Sequence, residues 1–164
     1  FTGRPVWVAS STVATMTFED SLPRGLAGPA PSGPSFHTEA KAAVSRAFER
    51  AGLGPQDVSF TELQDNTCYY ELAFPEEWGL CRPGEAEQLV AAGETVPTGR
   101  MPINPSGGFV SFGEATTAMG VFQIAEMTWQ LRGQSGARQV PGAKVGLAQT
   151  LGLGGNATAA ILKR

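Results

Sequence analysis

A dense polar segment, residues 62–70, stands where a predicted strand gives way to a helical pattern. Gln64, Asp65, Asn66 and Tyr69 lie within it. An amide can donate a hydrogen bond to an oxyanion, while a carboxylate or a phenol can accept or supply a proton. Because ligands collect where the strands of an α/β sheet end, we predict a catalytic role for these four residues. The alternative is that the short polar side chains only cap the following helix.

A second segment brings flexible backbone and one carboxylate to the entrance of the longest helical pattern. It runs over residues 106–115 and contains Gly107, Gly108 and Glu114. We predict that Glu114 is catalytic and that the two glycines belong to a loop that binds substrate or an oxyanion. Glu114 could instead be a first-turn acid that the helix dipole favours.

A third segment, residues 150–155, joins two predicted strands and is rich in glycine. Its backbone N–H groups could face an oxyanion, so we predict that Thr150, Gly152 and Gly154 contribute to the same loop surface. The alternative is a plain hairpin turn without a chemical role.

Other classes of site are excluded by the residues that the sequence lacks. There is no G-x-S-x-G, P-loop, G-x-G-x-x-G or H-E-x-x-H motif, and a lone His37 cannot build a triad. We expect His37 to be solvent-exposed or a helix cap. Cys68 and Cys81 are too few for a zinc ligand set or a disulfide scaffold, so we expect no metal and two reduced thiols.

The charge balance argues against two classes of partner. Twelve Lys and Arg against 15 Asp and Glu give a net charge of −3, without a basic stripe, so nucleic acid is a poor partner. No apolar run is long enough to span a bilayer, and we expect a cytoplasmic protein. Charged residues are only 16% of the chain, which predicts that part of its surface is covered by another chain or segment.

The elements that must position these residues follow a mixed α/β order within one domain, residues 1–164. Strands are predicted at 5–9, 58–63, 143–149 and 157–162, the last two forming a closing hairpin. Helices are predicted at 37–52, which Gly52 ends, and at 68–79, 84–93 and 116–131. The last helix is apolar nearly all round, so we expect it to be central. Residues 22–34, with four prolines and three glycines, predict an exposed loop, and residues 95–113 are loop-rich. Because the sequence opens on Phe1, the natural start could lie upstream.

Several longer motifs, in this order, resemble the C-terminal half of the thiolase superfamily, most closely its sterol-carrier-protein thiolase and lipid-transfer branch. They are an opening Arg-Pro-Val at 4–6, Ala-Gly-Leu-Gly-Pro-Gln-Asp-Val at 51–58, Trp-Gly-Leu-Cys-Arg-Pro-Gly-Glu at 78–85, Pro-Ile-Asn-Pro-Ser-Gly-Gly at 102–108, Gln-Leu-Arg-Gly at 130–133 and Gly-Ala-Arg-Gln-Val-Pro-Gly-Ala at 136–143.

The resemblance implies a half-molecule with a βαβαβαββ-like mixed sheet and helices on both faces. Its partner would be a thiolase N-terminal half, on the same or a separate chain, which carries the cysteine nucleophile, and the assembly would be a dimer. Coenzyme A thioesters would be substrates, with no covalently bound cofactor.

The sequence departs from the thiolase pattern at three catalytic positions. Residues 64–67, Gln-Asp-Asn-Thr, stand where the branch has His-Asp-Cys-Phe. Glu114 replaces the histidine of Gly-His-Pro, and Thr150 stands at the late cysteine. A carboxylate at 114 could serve as a general base if burial makes it more basic, but it would repel a neighbouring thiolate.

Three functions remain open. The first is an acyltransferase-type enzyme that makes or breaks a carbon–carbon bond on lipid or sterol-derived acyl-CoA. The second, implied by similar lipid-transfer proteins with Gly-Glu-Ala, is a retro-aldolase on β-hydroxyacyl-CoA of steroid side chains with an OB-fold, zinc-ribbon partner. The third is a non-catalytic subunit that binds lipid acyl-CoA or acts as a scaffold. Cys68, Tyr69 and Tyr70 could supply substitute acid/base groups, unless the tyrosines only pack on the core.

Overall fold

A computed structural model describes residues 3–15, 38–115, 117–152 and 155–164. The predicted loop at 22–34, His37 and Gly154 lie outside these residues. Four strands form one mixed sheet in the order β1-β4-β3-β2. They are β1, Trp7–Thr15; β2, Phe60–Glu62; β3, Val145–Gly152; and β4, Asn156–Lys163.

Strands β3 and β4 form the predicted hairpin, in which Gly152 pairs with Asn156. Strand β1 runs antiparallel to β4, whereas β2 runs parallel to β3. The ends of β2 and of β3 therefore lie at the same edge of the sheet, as expected for parallel neighbours.

Strand β1 is longer than the predicted strand at 5–9 and contains a register shift between Val8 and Ser10. Its extension is polar, and Thr12 in it packs against helix residues 38–51, where its Oγ1 donates to Ala43 O (2.8 Å). Hydroxyl and β-branched residues suit such a half-buried strand.

Five helices accompany the sheet in the described residues: α1, Thr38–Ala51; α2, Tyr69–Glu77; α3, Ala86–Ala91; α4, Gly108–Phe112; and α5, Met119–Arg132. The helices predicted at 37–52, 68–79, 84–93 and 116–131 are confirmed with small shifts at their ends, whereas α4 lies within the segment predicted to be loop-rich. Gly52 follows α1 with φ +63°, as its cap role requires.

The helices cover both faces of the sheet, and the fold class is confirmed. Helix α1 buries Ala40, Ala43, Val44 and Ala47 against one face. On the other face, Met127 and Leu131 of α5 pack with Phe60, Ala148 and Leu162.

Helix α5 is not buried all round in this chain, contrary to the expectation of a central helix. Its buried face includes Gln123, Glu126 and Gln130, while Val121 is 67% exposed. No helix in the described part of the chain combines the length and apolar character that a membrane crossing needs.

Candidate active site at the carboxyl ends of two parallel strands

The side chain of Gln64, in the first predicted segment, contacts both of the other two segments. Gln64 lies just beyond the end of β2 and is buried. Its Nε2 donates to Glu114 Oε1 (3.5 Å), and its Oε1 accepts from the backbone N–H of Leu151 on β3 (2.6 Å). The short hydrogen bond from Leu151 N holds the oxygen of the Gln64 amide in place, and the amide nitrogen contacts the Glu114 carboxylate.

Glu114 lies in the short connection between α4 and α5 and is exposed in this chain. Helix α5 begins only at Met119, so Glu114 is not in its first turn, and the helix dipole does not account for its position. An exposed carboxylate beside a fixed amide donor is accessible to a ligand.

The Gly107–Gly108 turn is held by Asp65. Asp65 is buried, and its Oδ1 accepts from the backbone N–H of Phe109 (2.6 Å) in the first turn of α4. Gly108 has φ +67°, and a Cβ there would lie 2.0 Å from Asp65 Oδ2. This position therefore requires glycine, both for its backbone and for the close approach of the carboxylate.

The backbone N–H groups of the two glycines are used within the turn. Gly107 N donates to Asn104 O (2.8 Å) and Gly108 N to Ser106 Oγ (3.1 Å). Their proposed role as oxyanion donors would thus require these bonds to be exchanged for bonds to a ligand.

Thr150 is directed toward α5. Its Oγ1 donates to Gln123 Oε1, and Gln123 Nε2 donates to the carbonyls of Glu62 (3.1 Å) and Gln149 (2.8 Å). Gln123 therefore connects α5 to the end of β2 and to β3. Gly152 lies beside Thr150 at the end of the hairpin.

The side chains of Asn66 and Tyr69 are exposed, and the hydrogen bonds found for Gln64 go to Glu114 and Leu151 instead. Tyr69 is 53% exposed, whereas Tyr70 stacks on Phe74 with ring centroids 4.7 Å apart. Packing on the core thus describes Tyr70 and not Tyr69. Thr67 Oγ1 accepts from Tyr69 N (3.4 Å) just before α2, but the N-cap position is Cys68, which makes no side-chain cap bond.

Glu62 was not among the predicted site residues, although it ends β2 in the buried sheet. Burial raises its pKa to about 7, against the lowering effect of two bonds from Ser106. Glu62 Oε1 accepts from Ser106 N (3.0 Å), and Oε2 accepts from Ser106 Oγ (2.7 Å). The sequence did carry a signal for Glu62: it lies two residues after Phe60 in a predicted strand, so the two side chains share one face of the sheet.

Glu71 and Asn104 form a second connection that the sequence reasoning missed. Asn104 Nδ2 donates to Glu71 Oε1 (2.8 Å), and Asn104 Oδ1 accepts from Leu63 N (2.8 Å). Burial raises the pKa of Glu71, and the bond from Asn104 lowers it. Asn104 adopts φ +46°, a conformation in which asparagine is enriched, and begins the turn that leads to Gly107.

The two cysteines are free thiols in the structure. Burial, followed by the charges of Glu76 and Glu85, raises the pKa of Cys81 to about 11, which makes this thiol a poor nucleophile. Among the described residues, no group of three His, Cys, Asp or Glu side chains could hold a metal ion. A carboxylate at Glu114 and an amide at Gln64 give this site groups for acid/base and hydrogen-bonding chemistry.

A sequence model of the family described as "Thiolase C-terminal domain-like" matches residues 33–164. Sterol carrier protein 2 of Rattus norvegicus is 46% identical over 123 residues, which are 75% of this chain and 22% of that protein. An acetyl-CoA acetyltransferase of Methanothermobacter thermautotrophicus is 37% identical over 123 residues, which are 74% of this chain and 32% of that protein. The chain thus spans between about a fifth and a third of the length of these relatives.

A solved structure titled "Ltp2-ChsH2(DUF35) aldolase" has a similar fold. Its TM-score is 0.77 at 26% sequence identity, and the match covers 98% of this chain and 40% of that chain.

Proposed function

Because the chain belongs to the thiolase C-terminal domain-like family, we propose that it forms part of an acyl-CoA enzyme that breaks a carbon–carbon bond beside a thioester carbonyl. Aldol cleavage of a β-hydroxyacyl-CoA is the reaction that the site supports best. The observation that carries this proposal is the contact between the Glu114 carboxylate and the Gln64 amide where β2 and β3 end.

The chemistry of the two side chains suits aldol cleavage better than thiolysis. Thiolysis needs a group that generates a thiolate, and a carboxylate at Glu114 would repel that thiolate. Aldol cleavage needs a base for the β-hydroxyl group and a donor for the enolate oxygen, without a cysteine nucleophile.

In the proposed step, the Glu114 carboxylate takes the proton of the substrate's β-hydroxyl group. The O–H electron pair then forms the new carbonyl as the bond between the α and β carbons breaks. The electrons of that bond pass to the thioester oxygen as an enolate, toward which Gln64 Nε2 can donate. Return of the proton to the α carbon releases an acyl-CoA and an aldehyde or ketone.

The exposed side of α5 supports a partner that covers the site. Val121, Phe122, Ile124 and Trp129 are exposed large apolar residues of this helix. An open groove of about 260 Å³ lies between α5 and strands β1, β3 and β4, bounded by Ser11, Ile124 and Thr158. We propose that a thiolase N-terminal half, on the same or a separate chain, packs here, and that the assembly is a dimer. Such cover would also exclude water from Glu114.

A further partner is proposed from the structural neighbour, whose title pairs Ltp2 with ChsH2(DUF35). An OB-fold, zinc-ribbon protein would be that partner here. The similarity to sterol carrier protein 2 supports a lipid or sterol-derived acyl group on coenzyme A as the substrate.

A second candidate is acyl transfer, which the similarity to an acetyl-CoA acetyltransferase favours. In that reaction, a cysteine of the N-terminal half would take the acyl group. Gln64 would keep its role as an amide donor, and acetyl groups would pass to free CoA.

The test of the proposed base is Glu114→Gln, assayed in the complex that the protein forms. Cleavage of a β-hydroxyacyl-CoA is expected to fall by about 10²–10⁴-fold, because the amide cannot take the hydroxyl proton. Glu87→Gln removes the same charge at an exposed position of α3 and is the matched control. Unchanged cleavage in Glu114→Gln would refute the role of this base, and a complex with no activity in either form would favour a binding or scaffolding subunit.

A further inference from the structure

Glu62 is a buried carboxylate that the proposed cleavage does not use. It ends β2 and is 1% exposed. Both of its oxygens accept bonds from one residue, Ser106, through the backbone N–H (3.0 Å) and the hydroxyl group (2.7 Å). A carboxylate that receives two donors from one residue fixes the position of that residue strongly.

Hydrogen bonds at the start of α4, together with the helix itself, connect Ser106 to Glu114. Ser106 Oγ accepts from Gly108 N (3.1 Å), at the start of α4. One residue on, Phe109 N donates to Asp65, and Phe109 O accepts from Gly113 N (2.8 Å). Gly113 directly precedes Glu114, so the start and the end of α4 are both fixed relative to β2.

We infer that Glu62 is a positioning residue for Glu114: through Ser106 and α4, it sets where the Glu114 carboxylate lies relative to Gln64. This inference rests on the proposed function of Glu114. The position of Glu114 should then depend on whether Glu62 is ionised, because the ionised carboxylate accepts hydrogen bonds from both the N–H and the O–H of Ser106. A protonated carboxyl group must instead donate to Ser106 Oγ, which frees the serine hydroxyl proton and weakens the hold on the turn.

The surroundings of Glu62 place this ionisation in the neutral range. Burial is the largest cause that raises its pKa to about 7, and the charges of Glu126 on α5 and of Asp65 raise it further. The guanidinium of Arg138 also interacts with Glu62 and is paired with Glu126 (2.8 Å). Strand β3 and the 101–108 segment contribute no charged side chain. The ionised form therefore becomes the main form above about pH 7.

The test is the pH profile of cleavage by the complex, compared between the natural protein and Glu62→Gln. In the natural protein, kcat is expected to rise on the order of tenfold as the pH passes through about 7. Glu62→Gln preserves the shape of the side chain but has the donor pattern of the protonated form. It should show the low-pH value throughout. Glu71→Gln is the matched control, because Glu71 contacts the same turn through Asn104 and its removal should leave the inflection in place.

Ser106→Ala is a second variant that tests the same link. The Ser106 hydroxyl is the donor that protonation of Glu62 displaces, and its bond lowers the pKa of Glu62. Without this hydroxyl, any remaining inflection of kcat should be smaller and lie at higher pH. An inflection at the natural pH in Ser106→Ala, or one that persists in Glu62→Gln, would overturn the inference.

Hydrogen exchange of residues 106–109 in the complex separates this inference from the proposed function. After correction for intrinsic rates, protection should increase as the pH rises through about 7 in the natural protein and not in Glu62→Gln. Protection that is the same in both proteins would refute the role of Glu62 in holding the turn. If protection rises with pH as expected but the complex does not cleave the β-hydroxyacyl-CoA, aldol cleavage is refuted and the role of Glu62 in holding Ser106 is supported.

Discussion

The substitution Gly108→Ala tests how closely the turn before α4 is built around Asp65. The new methyl group would lie 2.0 Å from Asp65 Oδ2 and 2.9 Å from Asp65 Oδ1. These distances are far below van der Waals contact, and Asp65 is buried, so either the carboxylate or α4 must move.

The magnitude follows from two separate costs. An L-residue at φ +67° costs about 1 kcal/mol relative to glycine. Displacing Asp65 loses its bond to the Phe109 N–H, and a hydrogen bond to a charged group is worth about 1.5–3 kcal/mol. We therefore expect a loss of about 2.5–4 kcal/mol in the free energy of unfolding. Cleavage should also be reduced, because Glu114 follows α4.

Gly52→Ala is the matched control for this prediction. Gly52 has a similar φ, +63°, but nothing lies within 4 Å of the position of a new Cβ, so only the backbone cost of about 1 kcal/mol is expected. Urea unfolding of the three proteins measures both values. Equal losses for the two variants would refute the account, since the contact with Asp65 would then contribute nothing.

Three further predictions concern the buried network and the exposed face. Because the pKa of folded Glu62 is raised to about 7, its contribution to stability is present below about pH 4.5 and is lost as the pH rises to about 7. The loss amounts to about 3 kcal/mol. In denaturant unfolding, the stability of Glu62→Gln relative to the natural protein should therefore increase from about pH 4.5 to about pH 7. Unfolding free energies that change in parallel with pH in the two proteins would contradict this prediction. Gln123→Leu leaves two strand carbonyls without its donors and should lower the unfolding free energy by about 2–3 kcal/mol, whereas exposed Gln134→Leu should change little. Val121→Asp should abolish the partner complex in native mass spectrometry, while Ser45→Asp on the exposed side of α1 keeps it; a stable Val121→Asp complex would exclude this face as the interface.

Local patterns were sufficient to predict most of the helices and the hairpin. Helix α1 follows from its apolar spacing and from Gly52, since both signals lie within the helix and its cap. The length of β1 could not be predicted in this way, because its polar half is stabilised by a bond from Thr12 to the distant Ala43.

The candidate site was predictable in part. That Gln64 and the end of β3 lie together follows from parallel strands, whose carboxyl ends share one edge. The link from Glu62 to Ser106 spans 44 residues and depends on burial, which no local pattern reports. For the same reason, Tyr69 and Tyr70 could not be told apart, although one is exposed and the other stacks on Phe74.

The most direct test of the central claim is to identify the products that the complex forms from a β-hydroxyacyl-CoA in buffer without free CoA. Our account predicts an aldehyde or ketone together with an acyl-CoA in equal amounts, both detected by mass spectrometry. Failure to cleave this substrate, combined with CoA-dependent conversion of a β-ketoacyl-CoA into two acyl-CoA products, would contradict aldol cleavage and establish acyl transfer.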